Sequence, residues 1–123
     1  MRFAKIVFTG AGVWGVVVLT PLLFLFDYMG RQYPPAITHP DFYYGFVVVA
    51  LAWQVAFLSI GRDPLRFRPL MIAAMLEKFG YVAALSVLYA GGDLQAAQFA
   101  VAVPDFVLGW LFVAAFWKTP SGQ

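Results

Sequence analysis

The chain has 123 residues, 63% of them apolar and 11% charged, with eight basic side chains against six acidic ones. A soluble domain is about 25% charged and could not hide this much apolar surface at such a length. The small positive excess forms no basic stripe, which excludes nucleic acid as a partner. The absence of cysteine excludes disulfides and thiolate chemistry, and a single histidine, His39, excludes a multi-histidine metal site within one chain. One domain over residues 1–123 is the natural count.

In chain order, the first apolar run covers roughly 6–26, long enough for a span of about 20 residues. Arg2 and Lys5 precede it as in a secretory signal, but its apolar core is too long and no small-x-small cleavage site follows Phe26, so it reads as a retained helix. Ala11 and Gly15 form a small-xxx-small pair suited to close helix packing. Pro21 should bend the helix and release the carbonyl of Val17. The segment from Asp27 to Pro40, with Pro34 and Pro35, is expected to be stiff and to hug the membrane surface.

The turn Thr38-His39-Pro40-Asp41 opens the second run, 41–60, with Asp41 as the expected N-cap. One histidine and one aspartate are too few ligands for a metal there. Tyr43, Val47, Ala50, Gln54 and Phe57 make an inward stripe on this helix. After the connection carrying Arg62, Arg66 and Arg68, the third run covers 70–90, with Pro69 expected in its first turn and a left-handed C-cap at Gly91-Gly92. The fourth run, 96–117, contains Pro104, expected to bend it and free the Ala100 carbonyl.

Connections of roughly 14, 9 and 5 residues predict antiparallel neighbours. The fold class is therefore all-α, an up-down four-helix transmembrane bundle. Arg2, Lys5, Arg62, Arg66, Arg68 and Lys118 gather on one side against Arg31 on the other, which predicts both termini cytoplasmic. Tyr28, Tyr33, Tyr43, Tyr44 and Tyr89 cluster toward the outer interface and Trp117 toward the inner one.

Chemistry is hinted at by three ionisable residues inside the runs, Glu77, Lys78 and Asp105. Each costs roughly 2.5–3.5 kcal/mol at a helix centre on insertion scales, so each needs protein, water or a partner. Lys78 leans toward its helix N-terminus and is expected to snorkel to the headgroups. Asp105 leans the opposite way, which disfavours a direct pair between them. Being adjacent, Glu77 and Lys78 are about 100° apart on the helix and are expected to find separate surroundings. Depth matching puts Glu77 level with Trp14, Trp53, Gln54 and Trp110, and Asp105 level with Tyr81. Ala73, Glu77, Tyr81, Ala84 and Leu88 form the expected inward stripe of the third helix; Gln98, Ala102, Asp105 and Gly109 form that of the fourth. Trp110 is turned well away from Asp105 and is expected to face lipid.

These faces predict an intramembrane polar cavity lined by Gln54, Glu77, Tyr81 and Asp105 as ligand-binding residues. A polar cluster that only fixes helix register is the competing expectation. Arg62, Arg66, Arg68 and Lys78 are candidate lipid-headgroup ligands, each basic side chain near the surface worth about 1 kcal/mol. Orientation alone accounts for the same arginines. No residue pattern names a catalytic group, a cofactor or a metal.

The segments PPAITHPDFYYGF, WQVAFLSIGRDPLRFRPLM, LEK and PDFVLGWLF resemble a group of small uncharacterised bacterial four-helix integral membrane proteins, over nearly the whole chain. More loosely, the size and layout resemble DoxX-like proteins. The resemblance implies a multi-pass protein of a bacterial inner membrane and supplies no activity. Three functions follow as expectations. The first is a non-catalytic accessory subunit or homo-oligomeric scaffold, with membrane lipids and a larger membrane complex as partners and a lipid or isoprenoid held between helices. The second is an intramembrane acid/base enzyme, isomerase-like, with Glu77 and Asp105 as acid and base; this requires both carboxyls in one enclosed cavity of roughly 300 Å³ or more. The third is a proton or ion conductor built by oligomerisation.

Overall fold

The computed structural model describes residues 2–32 and 38–120, and these are helical nearly throughout. The helices are α1 (Arg2–Leu19), α2 (Phe26–Gln32), α3 (Pro40–Arg62), α4 (Leu70–Ala90), α5 (Ala96–Phe99) and α6 (Ala102–Lys118), with a 3₁₀ segment Thr20–Phe24 continuing α1. Four continuous stretches are long and apolar enough to cross a membrane: Arg2–Phe24, Pro40–Arg62, Leu70–Ala90 and Ala96–Lys118. They form an all-α bundle with the alternating directions the connection lengths require. Arg2, Pro120 and the connection 63–69 lie at one end, here the terminal end; α2, His39 and the connection 91–95 lie at the other, the distal end.

Helix boundaries follow local chemistry. α3 starts at Pro40, whose missing N–H costs nothing at the first helical position, so the N-cap is His39 and not Asp41. The His39 carbonyl accepts the N–H groups of Phe42 (3.0 Å) and Tyr43 (3.3 Å). Asp41 sits in the first turn, where its charge meets the positive end of the helix dipole. Pro69 immediately precedes α4. At the far end of that helix Gly92 takes φ 81°, and the Asp93 N–H reaches the Leu88 carbonyl at 2.9 Å. This is the left-handed stop expected of Gly91-Gly92.

The two internal prolines end helices; they do not bend them. Ahead of Pro21, α1 gives way to the 3₁₀ segment at Thr20. Ahead of Pro104 the fourth span breaks at Ala100–Val101, which puts the proline in the first turn of α6, where no amide hydrogen is needed. The Ala100 carbonyl is not left free, since it accepts the Val103 N–H at 3.1 Å. The connection after the first span also folds more than expected, forming α2. Tyr33, Pro34 and Pro35 lie outside the described residues.

The spans are not packed evenly. α1 lies along α3 in very close contact, and α4 lies along α6; α1 also meets α6, whereas α3 and α4 barely touch. Glycines set the first of these pairings. A Cβ on Gly12 would come within 2.6 Å of Leu58 Cγ, and one on Gly15 would run into the Gln54 side chain. Ala11 is buried beside them, so the small-xxx-small pair is in the interface. A Cβ on Gly109 would likewise come within 2.8 Å of Phe79 Cε1, which lets α4 and α6 close up.

The packed core belongs to the terminal half. Ala4, Phe8 and Ala11 of α1, Phe57 and Ile60 of α3, Met71 and Ala74 of α4, and Phe112 and Ala115 of α6 are all buried together. Phe8 stacks on Phe112 at 4.3 Å between ring centroids. Phe57 meets Phe112 edge-on at 5.0 Å. Such offset and edge contacts contribute about 0.5–1.5 kcal/mol each beyond area burial. Arg68 secures the terminal end, donating from Nε to the Thr119 carbonyl at 2.8 Å. Its guanidinium also lies 3.8 Å over the Phe116 ring.

Candidate intramembrane binding site

Above the aromatic core the bundle opens. All four spans contribute to one cavity of about 370 Å³, whose polar lining comes from Gln54 of α3, Glu77, Lys78 and Tyr81 of α4, and Asp105 of α6. The rest of its wall is apolar, including Trp14, Leu19, Leu22, Phe46, Val101 and Pro104. The hollow has a sequence origin. Small side chains, Gly15 and Ala50, face inward at the level where larger ones would fill it. The helix break before Pro104 falls at the same level. At the distal margin Tyr81 stacks on Phe46 at 5.9 Å and spans the gap between α3 and α4. Trp14, Val18, Phe46 and Val101 line the cavity yet are largely exposed, so its mouth lies among the outward-facing apolar side chains of the spans.

Lys78 is the centre of the site. It is only 5% exposed, and its ammonium donates to Asp105 Oδ1 at 3.1 Å. Glu77 Oε2 lies 3.6 Å from the same nitrogen, and the Phe57 ring centroid is 5.3 Å away. The ion cluster therefore rests on the aromatic core and faces the hollow. This overturns three expectations. Lys78 does not snorkel to the headgroups, it does pair with Asp105, and the adjacent Glu77 and Lys78 share one site. The physical reason is reach: the long lysine stem crosses to α6 where Gly109 and Phe79 let the helices approach, and full pairing offsets a desolvation that headgroup contact would have avoided. The inward face of α4 is accordingly Met71, Ala74 and Lys78. Ala84 and Leu88 of the expected stripe are exposed, while Ala73, Glu77 and Tyr81 sit at its edge.

Gln54 is 2% exposed. Its Nε2 donates to the Ala50 carbonyl one turn back at 2.8 Å. Its Oε1, pressed against Gly15, has no hydrogen-bond partner, and neither has Glu77 Oε2. Glu77 Oε2 keeps its ionic contact with Lys78 at 3.6 Å, whereas a buried acceptor with no partner of any kind, as at Gln54, costs about 1–3 kcal/mol. The inward stripes of the other two helices are as expected: Val47, Ala50, Gln54 and Phe57 are buried on α3, and Ala102 and Gly109 are buried on α6 with Asp105 half-buried.

Of the tryptophans placed level with Glu77, Trp14 lines the cavity, Trp53 packs at 6.1 Å on Phe57 of the core, and Trp110 is 57% exposed. At the distal end Phe26 stacks on Tyr44 at 5.4 Å. Tyr43 donates its hydroxyl to the Leu22 carbonyl at 2.7 Å. Among the headgroup candidates, Arg62 and Arg66 are exposed, Arg68 is committed to Thr119 and Phe116, and Lys78 is inside the bundle. Among the described residues, no three His, Asp or Glu side chains gather as a metal site would require.

No protein family, curated protein or solved structure matches the chain. The likeness to DoxX-like proteins thus has no support beyond four apolar helices of spanning length.

Proposed function

We propose that this multi-pass membrane protein is a non-catalytic binder of a single membrane amphiphile, held with its polar end at Gln54, Glu77, Lys78, Tyr81 and Asp105 and its chain along the apolar wall. The observation that carries this reading is the amphiphilic cavity itself, about 370 Å³ with five polar side chains in an otherwise apolar lining and its mouth among apolar, outward-facing side chains. Ligand pockets have this composition, mostly apolar with a few placed polar groups, and start at about 300 Å³. The basic residues at the terminal end favour both termini and the arginine-bearing connection on the cytoplasmic face. The resemblance noted above favours a bacterial inner membrane.

The acid/base reading keeps one supporting observation, since Glu77 and Asp105 do open into the same cavity. Against it, the Lys78 ammonium lies between the two carboxyls at 3.1 and 3.6 Å and holds them as a charge cluster.

Extraction of the purified protein with solvent, followed by lipid mass spectrometry, tests the binding reading. The wild type is expected to release one amphiphile per chain above the bulk lipid background. Ala50→Phe, which fills the cavity from α3, is expected to release none. Equal background release from both would contradict the proposal. Native mass spectra of the same samples read the subunit count, and with it any homo-oligomer or larger complex.

A further inference from the structure

We infer that the cavity selects an amphiphile whose head is a singly charged ammonium group, in preference to a neutral or an anionic one. The inference rests on the binding reading above and adds the charge of the head. Its first ground is which charges the cavity presents. Glu77, Lys78 and Asp105 all line it, but the lysine side chain is 6% exposed, against 20% for Glu77 and 22% for Asp105. The ammonium is spent within the wall. It meets Asp105 Oδ1 at 3.1 Å and Glu77 Oε2 at 3.6 Å, and the Phe57 ring of the packed core has its centroid 5.3 Å away. Each carboxyl thus gives one oxygen to the lysine and retains a second. A guest entering the hollow meets more of the two acids than of the base.

The second ground is the sum of the charges. Two carboxylates against one ammonium leave one negative charge in excess, and α1 and α3 add no ionisable side chain to the lining. The nearest other cations, Arg62, Arg66 and Arg68, lie at the terminal end beyond the packed core. Uncompensated charge is costly away from water. A guest bearing one positive charge balances the cluster, a hydroxyl head leaves the excess as it was, and a carboxylate or phosphate adds to it. A proton on one carboxyl supplies the same balance in the empty site, and an arriving ammonium releases it. The third ground is the wall itself. Trp14, Phe46 and Tyr81, from three different spans, line the same hollow, and aromatic faces attract ammonium groups, including quaternary ones with no hydrogen to donate. A volume of about 370 Å³ takes the head and the first stretch of one chain, with the remainder leaving past Trp14 and Val18 into lipid.

The test uses delipidated wild-type protein in neutral detergent, titrated by native mass spectrometry with an alkyltrimethylammonium, an alcohol and a carboxylate of one chain length. Saturable one-to-one binding of the ammonium is expected, at least about tenfold tighter than either of the others. Ala50→Phe is expected to abolish it, which separates the cavity from acids on the protein surface. Glu77→Gln keeps the side-chain shape and the Lys78–Asp105 pair but makes the cluster neutral; it is expected to weaken the ammonium about tenfold and so narrow its lead over the alcohol. Equal binding of all three by the wild type, or preference for the alcohol or the carboxylate, would overturn the headgroup inference and leave an amphiphile site standing. An ammonium preference untouched by Glu77→Gln would overturn its assignment to the ion cluster. Failure of all three, together with no lipid released on extraction, would overturn the site as well.

Discussion

The terminal and distal halves of this bundle are built from the same four spans and obey different rules. Below Lys78, aromatic rings and alanines interlock until Phe8, Phe57, Phe112, Ile60 and Met71 have no exposed surface. Above it, glycine and alanine replace the bulky residues, α3 and α4 part, and the space between is bounded by groups that do not fill it. A membrane protein cannot rely on water to drive helices together, so close van der Waals packing must hold the bundle. The packed half supplies that, which frees the other half to stay hollow. The ion cluster sits at the junction. It closes the core on one side and presents polarity to the cavity on the other.

Substitutions that break this division should differ in size according to which half they disturb. The largest effect is expected for Lys78→Met, which strands Glu77 and Asp105 without their shared cation. Breaking a buried pair from one side costs about 3–5 kcal/mol, so thermal unfolding in detergent should move far downward, and an unchanged midpoint would remove the cluster from the account. Asp105→Asn should cost less, roughly 1.5–3 kcal/mol for a lost charge-assisted hydrogen bond. Glu77→Gln should cost less again, because Glu77 is the more distant partner, at 3.6 Å, and already has an orphaned oxygen. Equal losses for the two amides in the same melts would mean a cluster built only for helix register. Gln54→Met should matter less than any change in the ion cluster. It removes an unpartnered buried acceptor together with the Nε2 hydrogen bond to the Ala50 carbonyl, so the two effects should nearly cancel and keep the midpoint within about 1 kcal/mol. At the terminal end, Arg68→Ala should lower the midpoint measurably while Arg62→Ala stays within about 0.5 kcal/mol, as an exposed substitution does.

Much of this was legible from residue order alone. Apolar run length gives the four spans to within a few residues, and the helical period identifies the inward stripes of α3 and α6 because Ala50, Gln54, Ala102 and Gly109 contrast with large neighbours. On α4 the contrast fails. Glu77 and Lys78 are both polar, and period alone does not say which points inward; the spacing of Met71, Ala74 and Lys78 was the signal available. Direction rules for single helices also mislead here, since whether Lys78 turns to headgroups or to Asp105 depends on how closely α6 approaches. That distance is set by Gly109 against Phe79, a contact that sequence does not display. The prolines taught a similar lesson: at Pro21 and Pro104 the chain ends one helical segment and begins another, so a bend was the wrong expectation.

The contrast between halves can be read directly by cysteine chemistry, because the natural sequence has no cysteine to interfere. Ala50 and Ala74 are both buried alanines, one on the cavity wall and one in the packed core. With Ala50→Cys and Ala74→Cys made singly, a small uncharged maleimide should modify position 50 and leave position 74 unmodified. Equal rates at the two positions, or no reaction at either, would contradict a hollow distal half resting on a closed terminal one.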